Sequence, residues 1–438
     1  MTTKPSEDAN FIRSTVKEHT KWFENSLPMI ASENLISPLA REMLITDFVD
    51  RYAEGWPGRR YYQGCIYIDK VEQRTIDLAK KLFKANYADV RPISGTVSNL
   101  GVLFALTKPG ETITAVDTPS GGHISHAAYG AVGVRGLNVV RYPFDMKNMN
   151  IDIDAAAKTI KEVKPKLCLF GQSVYLFPTP LKELMPAIEE VGAYVMYDAA
   201  HVLGLIAGGK FQDPLREGAD VMTGSTHKTL PGPQHGIVLS DRKKEESERS
   251  KKILKKLDFG VFPGVVSNHH LASVAALGVA LSEHIEFGSA YASQIVKNAK
   301  ALGQALYEKG INVIAEHLGF TQSHTLVMDV SKLGSATKFV EQLEQANIIT
   351  NKNLLPWDDV NTAMDNPSGI RVGVQELTRI GMKESEMKEV AELFKKILVD
   401  KKPPSEVKKD VINLKNNFKK IHYCYHEGTE AYKYYELI

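Results

Sequence analysis

Short apolar runs punctuate the chain at 112–116, 139–142, 167–170, 193–197, 219–222 and 237–239. Runs of this length between turn residues read as buried strands. Stretches with apolar residues three and four apart lie around and between them, at 71–82, 97–106, 154–163 and 181–191, and predict helices. This alternation predicts an α/β layer with a mainly parallel sheet. Further on, helices at 302–309, 336–346 and 384–398 and strands at 312–315 and 326–330 predict an α+β module. A helical link is expected within 283–299. At the start, 11–27 reads as a polar amphipathic helix, and 38–49 as a helix with Pro38 in its first turn. The organisation expected is an N-terminal helical arm, 1–37, a large domain, 38–290, and a smaller C-terminal domain, 291–438.

The stretch Ser225-Thr226-His227-Lys228-Thr229-Leu230-Pro231-Gly232-Pro233 falls between two of the strands. Burial penalises a lysine's charge. Either the side chain snorkels to water, or its pKa falls and the neutral amine becomes a nucleophile toward carbonyl compounds. Asp198 ends the strand expected at 193–197. Ligands of open α/β sheets bind at that end of a strand. A carboxylate there caps the following helix, or keeps the pyridine nitrogen of a pyridoxal phosphate protonated so that the ring accepts electrons. Upstream, Ser94-Gly95-Thr96 forms a small polar turn leading into a helix, whose free N–H groups bind phosphate. Each piece alone is weak. Phosphate turn, then aspartate after a strand, then lysine after a later strand is a specific order, and it implies a pyridoxal-phosphate enzyme of the aminotransferase-like fold (fold type I).

Several longer motifs sharpen this reading. They are Ile30-Ala-Ser-Glu-Asn34, the run from Arg51 to Tyr62, the run from Tyr67 to Gln73, Gly121-Gly-His123, Asp198-Ala-Ala-His201, Thr226-His-Lys228 and Gly369-Ile-Arg-Val-Gly373. Through them the chain resembles the serine hydroxymethyltransferase family over nearly its whole length. Pro233-Gln234 and Gln375-Glu-Leu-Thr-Arg379 resemble its archaeal branch.

The resemblance implies reversible transfer of the hydroxymethyl carbon of L-serine to a reduced pterin, giving glycine, with pyridoxal phosphate covalently held on Lys228. It implies that Ser94, Gly95, Thr96 and Ser225 belong to the cofactor site, that His123 stacks on the pyridine face, and that Ser173 and His201 bond the ring hydroxyl and nearby substrate. Arg371, an arginine in an apolar strand, would take the substrate carboxylate with help from Ser32. Glu54 would be the acid–base group at the substrate hydroxyl. Tyr52 and Tyr62 would line the site from a loop that reaches the partner's pocket, which makes a homodimer with shared active sites the expected unit. Thr226 and His227 would tune which bond to the substrate's α-carbon is cleaved. Asn353 lies near the expected pterin pocket.

The chain departs from the family's common pattern at Gln234, in the loop Pro263-Gly-Val-Val-Ser-Asn-His-His270, and around Asn351 to Pro356. These departures leave Ser267 and Asn268 weaker phosphate-site candidates than Thr96. They leave tetrahydrofolate and tetrahydromethanopterin both open as the carrier. A pterin-independent threonine or allo-threonine aldolase is the alternative activity.

Composition adds bounds. A length of 438 residues can bury a large core, and 43% hydrophobic and 24% charged content are ordinary for a globular protein. A net charge of +2 with no basic stripe argues against nucleic acid as a partner. The Lys-rich runs at 242–256 and 401–420 read as solvated helix faces. No run reaches the roughly 18 apolar residues of a membrane span, and the polar N-terminus has no signal-peptide core. The three cysteines build no disulfide framework, so a reduced, cytoplasmic setting is expected. His422, Cys424 and His426 alternate, as ligands on one strand face would, but a fourth ligand is missing and no metal is expected, nor at His269-His270.

Overall fold

The computed structural model describes residues 4–359, 363 and 365–438. Seven strands form the main sheet: β1 (Tyr87–Asp89), β2 (Thr112–Ala115), β3 (Asn138–Arg141), β4 (Leu167–Gly171), β5 (Tyr194–Asp198), β6 (Val221–Ser225) and β7 (Gly236–Ser240). Their order is β1-β7-β6-β5-β4-β2-β3. Only β7 runs against the rest. β4 to β7 are buried throughout, which explains why they read as near-continuous apolar runs. The register sets Asp198 beside Gly171 on one side and Thr223 on the other.

An N-terminal helix, α1 (Pro5–Glu24), buries none of its residues, and α2 (Ile66–Phe83), α3 (Gly95–Leu106), α4 (Ile153–Val163), α5 (Leu181–Val191) and α6 (Glu248–Val261) accompany the sheet. The helix expected at 38–49 stops at Met43, and a 3₁₀ turn follows at Asp47–Asp50. Ile45 and Thr46 are β-branched, and the Thr46 hydroxyl donates to the Met43 carbonyl, which closes the helix end.

α7 (Leu271–Glu308) is one unbroken helix where a link and a separate short helix were expected. It packs on α2, on the short helix Leu203–Ala207, on α9 (Glu384–Leu398) and on β8 (Asn312–Val313). It is also long and apolar enough to cross a membrane, although polar residues interrupt its apolar run. Most of its apolar stretch, 61%, is buried inside the molecule, as in a core helix.

A second sheet joins β8, β9 (Thr325–Asp329), β11 (Gly369–Gly373) and β10 (Asn351–Asn353) in the order β8-β9-β11-β10, all antiparallel. α8 (Ala336–Gln345), α9 and α10 (Pro404–Lys415) accompany it. One continuous apolar cluster runs from Leu27 through both sheets to Ala431. Lys415 breaks the solvated-face reading of 401–420, because it is fully buried. Its ammonium donates to Tyr432 Oη (3.1 Å), and that hydroxyl donates to buried Glu376 (2.7 Å). The tail is thus tied to the helix that follows β11. His422, Cys424 and His426 lie in turns, not on a strand. The His422 ring is paired with Glu427, and Cys424 is buried. Among the described residues no His, Cys, Asp and Glu group could hold a metal ion.

Candidate active site

The C-terminal ends of β4, β5 and β6 and the N-terminus of α3 surround a cavity of about 200 Å³. Ser94, Gly95, Thr96, His123, Asp198, His201, Ser225, His227 and Lys228 all line it. Larger cavities exist, notably one of about 1010 Å³ between α2 and α7, but its walls are mainly apolar and hold no buried titratable cluster. Volume does not locate chemistry here; converging polar groups do.

Ser94 caps α3 by accepting the Val97 N–H (3.2 Å), which leaves the remaining first-turn N–H groups for an anion. A Cβ on Gly95 would collide with the Ser225 hydroxyl, so glycine keeps this floor open. Asp198 is buried, and burial alone would push its carboxyl up. The His126 Nε2 hydrogen bond (3.0 Å) and nearby histidine charges outweigh burial and hold it well below the usual carboxylate range. Asn99 Nδ2 donates to the same oxygen (2.7 Å), and the Ala200 N–H donates to the other (2.9 Å). The Thr223 hydroxyl donates to Asn99 Oδ1 (2.6 Å) and fixes that amide. A carboxylate so fully supplied with donors stays ionised.

His123 precedes a short 3₁₀ turn. Its Nδ1 accepts the Ser125 N–H (3.1 Å) and caps a three-residue 3₁₀ turn, Ile124–His126. An accepting Nδ1 puts the ring proton on Nε2, and burial lowers the imidazole to about 4. Burial likewise lowers His227 to about 4 and holds His201 well below its ordinary range. These rings are neutral at physiological pH. Lys228 is 7% exposed. Burial, joined by the Arg371 charge, lowers its amine to about 8 against the opposing pull of Asp198. Its backbone carbonyl is held by Asn34 Nδ2 (2.5 Å), which links the Ile30-to-Asn34 turn to the lysine loop.

Arg371 lies on β11, and its charge acts on Lys228, His201 and His123. It donates to Asn351 Oδ1 (3.3 Å) and the Ser173 carbonyl (3.1 Å), and neither acceptor is charged. Burial lowers it to about 10, with no carboxylate acting on it among the described residues. A buried guanidinium with only neutral acceptors is chemically suited to a carboxylate.

Other expected residues stand apart from this lining. The Thr226 hydroxyl donates to the Pro233 carbonyl (2.7 Å) and shapes the lysine loop. Ser32 lines an adjoining cavity of about 340 Å³ with Gln234 and His227. Ser173 meets the site through its carbonyl. Asn353 sits on β10, donating to the Leu354 carbonyl (2.6 Å). The Tyr52 hydroxyl donates to Glu54 (3.1 Å), its ring lies 4.8 Å from that of Tyr62, and both rings are exposed. None of the three lines the chain's own cavity. Asn34, Asn99, His126 and Thr223 were given no role from sequence.

The profile of the serine hydroxymethyltransferase family matches residues 5–394. The chain belongs to that family. It is similar to the serine hydroxymethyltransferases of Picrophilus torridus, at 55% identity over 431 residues, and Methanothermobacter marburgensis, at 55% over 427, covering 98% of each chain. It is 53% identical to that of Methanocaldococcus jannaschii over 434 residues, again 98% of each. Among solved structures, it resembles L-threonine transaldolase from Pseudomonas fluorescens with a TM-score of 0.85 at 28% identity, covering 96% of this chain and 94% of that one. The architecture is the expected fold type I. Serine hydroxymethyltransferases work with pyridoxal phosphate, and the residues here fit it: an open anion floor at Gly95, an ionised Asp198, a flat neutral His123 and a buried Lys228.

Proposed function

We propose that the protein transfers the hydroxymethyl carbon of L-serine to a reduced pterin, leaving glycine, in a pocket completed by a second copy of the chain. The observation that carries this reading is the buried Lys228, with its lowered pKa, in one cavity with Asp198 and beside the anion-free Arg371.

The α3 N-terminus with Ser94, Gly95, Thr96 and Ser225 would hold the cofactor phosphate. Bound pyridoxal phosphate supplies an electron-accepting ring conjugated to the substrate's α-carbon. Lys228 offers an uncharged amine above about pH 8 for covalent attachment. Asp198 would keep a proton on the pyridine nitrogen, His123 would lie against the ring, and His201 with Ser173 would bond its polar groups. Arg371 and Ser32 orient the amino acid by its carboxylate. Glu54 of the second copy moves the proton at the serine hydroxyl as the Cα–Cβ bond breaks. His227 and Thr226 shape the space beside the reacting carbon, and Asn353 flanks the pterin.

The second copy is supported by exposed Tyr52 and Tyr62 on the loop that carries Glu54, and by exposed Phe11, Ile12, Val49, Ile66 and Tyr67 elsewhere on the surface. The departures at Gln234 and 351–356 keep tetrahydromethanopterin beside tetrahydrofolate as the carrier. The rival is pterin-independent cleavage of threonine or allo-threonine, favoured by the likeness to an enzyme named for threonine transaldolase.

The deciding experiment is glycine formation from L-serine by the cofactor-loaded protein without carrier, with tetrahydrofolate and with tetrahydromethanopterin. Strong stimulation by one pterin is the expected result. No stimulation by either, with brisk allo-threonine cleavage, would leave the aldolase.

A further inference from the structure

His324 immediately precedes β9 and is fully buried. Its Nε2 lies 3.0 Å from the Ala31 carbonyl, 3.1 Å from Thr325 Oγ1 and 3.5 Å from His201 Nδ1. Its Nδ1 meets no partner. The two imidazoles are inclined by only 22°, with centroids 5.6 Å apart. That separation exceeds the 3.5 Å nitrogen–nitrogen distance by about two ring radii. The rings therefore lie edge to edge in nearly one plane, with facing nitrogens, and not face on face.

This arrangement fixes protons. A backbone carbonyl can only accept, so His324 Nε2 carries a hydrogen. His201 Nδ1 looks toward that same N–H. A hydrogen on His201 Nδ1 would set two N–H groups against each other in a dry interior, where an unmatched donor is costly. His201 Nδ1 is then the lone-pair nitrogen. Burial together with the Lys228 and Arg371 charges keeps the His201 ring neutral, so its one proton is on Nε2.

We propose that His324 is a positioning residue that locks His201 in the Nε2–H form, so that His201 presents a hydrogen-bond donor to an oxyanion in the Lys228 cavity. The chemical class served is a phenolate-type ring oxygen or a substrate carboxylate, both pure acceptors. The same His324 N–H holds the Ala31 carbonyl, directly before Ser32, so one side chain registers the N-terminal turn against the cavity wall. The identity of the oxyanion rests on the proposed function; the tautomer does not.

The test uses the full-length, cofactor-free protein with ¹⁵N-labelled histidine, the His201 signals being assigned by their loss in His201→Asn. In the wild type, His201 Nε2 should be protonated and Nδ1 not. His324→Leu should move His201 to a tautomer mixture. His324→Gln, whose amide N–H stands where Nε2–H did, should keep the wild-type pattern. In the loaded enzyme, His324→Leu should raise KM for L-serine roughly tenfold with a smaller change in kcat, and His324→Gln should recover most of it. A wild-type His201 protonated on Nδ1, or an unchanged tautomer in His324→Leu, overturns the inference. Should His324→Leu fail to fold, the wild-type and His324→Gln spectra decide it alone. The expected tautomers in a protein that turns over no serine would sink the proposed function and leave this inference standing.

Discussion

Asn268 Oδ1 accepts the Ala53 N–H at 2.9 Å, one residue before Glu54. On the other side of Glu54, the Gly55 carbonyl accepts from Arg60 (3.0 Å) and from the buried Arg91 (3.3 Å). The loop at 263–270, which departs from the family's common pattern, therefore grips the loop that carries Glu54.

Asn268→Ala should loosen that grip without touching the Lys228 cavity. Loss of one such hydrogen bond, about 1 kcal/mol or a little more, lowers pterin-dependent serine turnover by up to roughly tenfold. Cleavage of allo-threonine, which does not need Glu54, should stay within about twofold. Equal losses in both assays would place Asn268 in general stability instead.

Covalent uptake of pyridoxal phosphate by the cofactor-free protein should follow the neutral Lys228 amine. Because burial lowers Lys228 to about 8, the rate should rise with pH and level off above that value, well short of lysine's ordinary 10.5. Asp198 pulls this pKa up, so Asp198→Asn should shift the profile to lower pH. Stopped-flow absorbance across pH 6 to about 10 reads both. A wild-type profile still climbing at the top of that range would contradict the burial argument.

Gly95→Ala would drive a methyl into the Ser225 hydroxyl at the anion floor. Cofactor affinity should fall by roughly two orders of magnitude, the cost of a displaced floor of about 2 to 3 kcal/mol. Melting of the cofactor-free protein should barely move. Equilibrium dialysis and a thermal melt separate the two, and an unchanged affinity would remove Gly95 from the phosphate site.

The buried Glu376–Tyr432–Lys415 chain makes a pH prediction. Burial raises the Glu376 carboxyl to about 7 and lowers the Lys415 ammonium to about 7, each opposed by the other's charge. A raised carboxyl binds its proton more tightly folded than unfolded. Below the ordinary 4.5 both states are protonated; above it only the unfolded state gives up the proton, and stability falls until the folded pKa is passed. A lowered lysine has the opposite slope in the next window, between about 7 and its ordinary 10.5, so the wild-type profile falls to about pH 7 and then recovers. Lys415→Met removes the recovery and, by removing a charge that lowers Glu376, lets the decline of up to about 1.4 kcal/mol per unit continue above pH 7. Denaturant titrations at several pH values check this, and a flat profile would sink it.

The strands that bear the site were legible because fully buried strands are nearly uninterrupted apolar runs, as Tyr194–Asp198 and Val221–Ser225 show. Lys228, Asp198 and Ser94 were legible because a charged or polar residue interrupts such a run at a strand or helix end, whereas His123 was singled out only through the family resemblance. Asn99, His126, Thr223 and His324 were not. They are buried polar residues whose partners come from distant positions, and no local period marks them. The unbroken length of α7 was hidden for a related reason: Glu283 and His284 look like surface, yet both are buried against partners from elsewhere in the chain.

That helix spans roughly 57 Å at the usual rise per residue. Its 38 residues touch α2, the short helix Leu203–Ala207, α9 and the strands β8 and β9, and the expected boundary after residue 290 falls inside it. For anyone recombining this protein with its relatives, a seam at 290 would splice two half-helices whose buried faces were selected apart. Gly310, in a left-handed turn with open space around it, is the natural crossover point. A hybrid joined there inherits the whole strut from one parent, and with it every buried face that the strut presents to its neighbours.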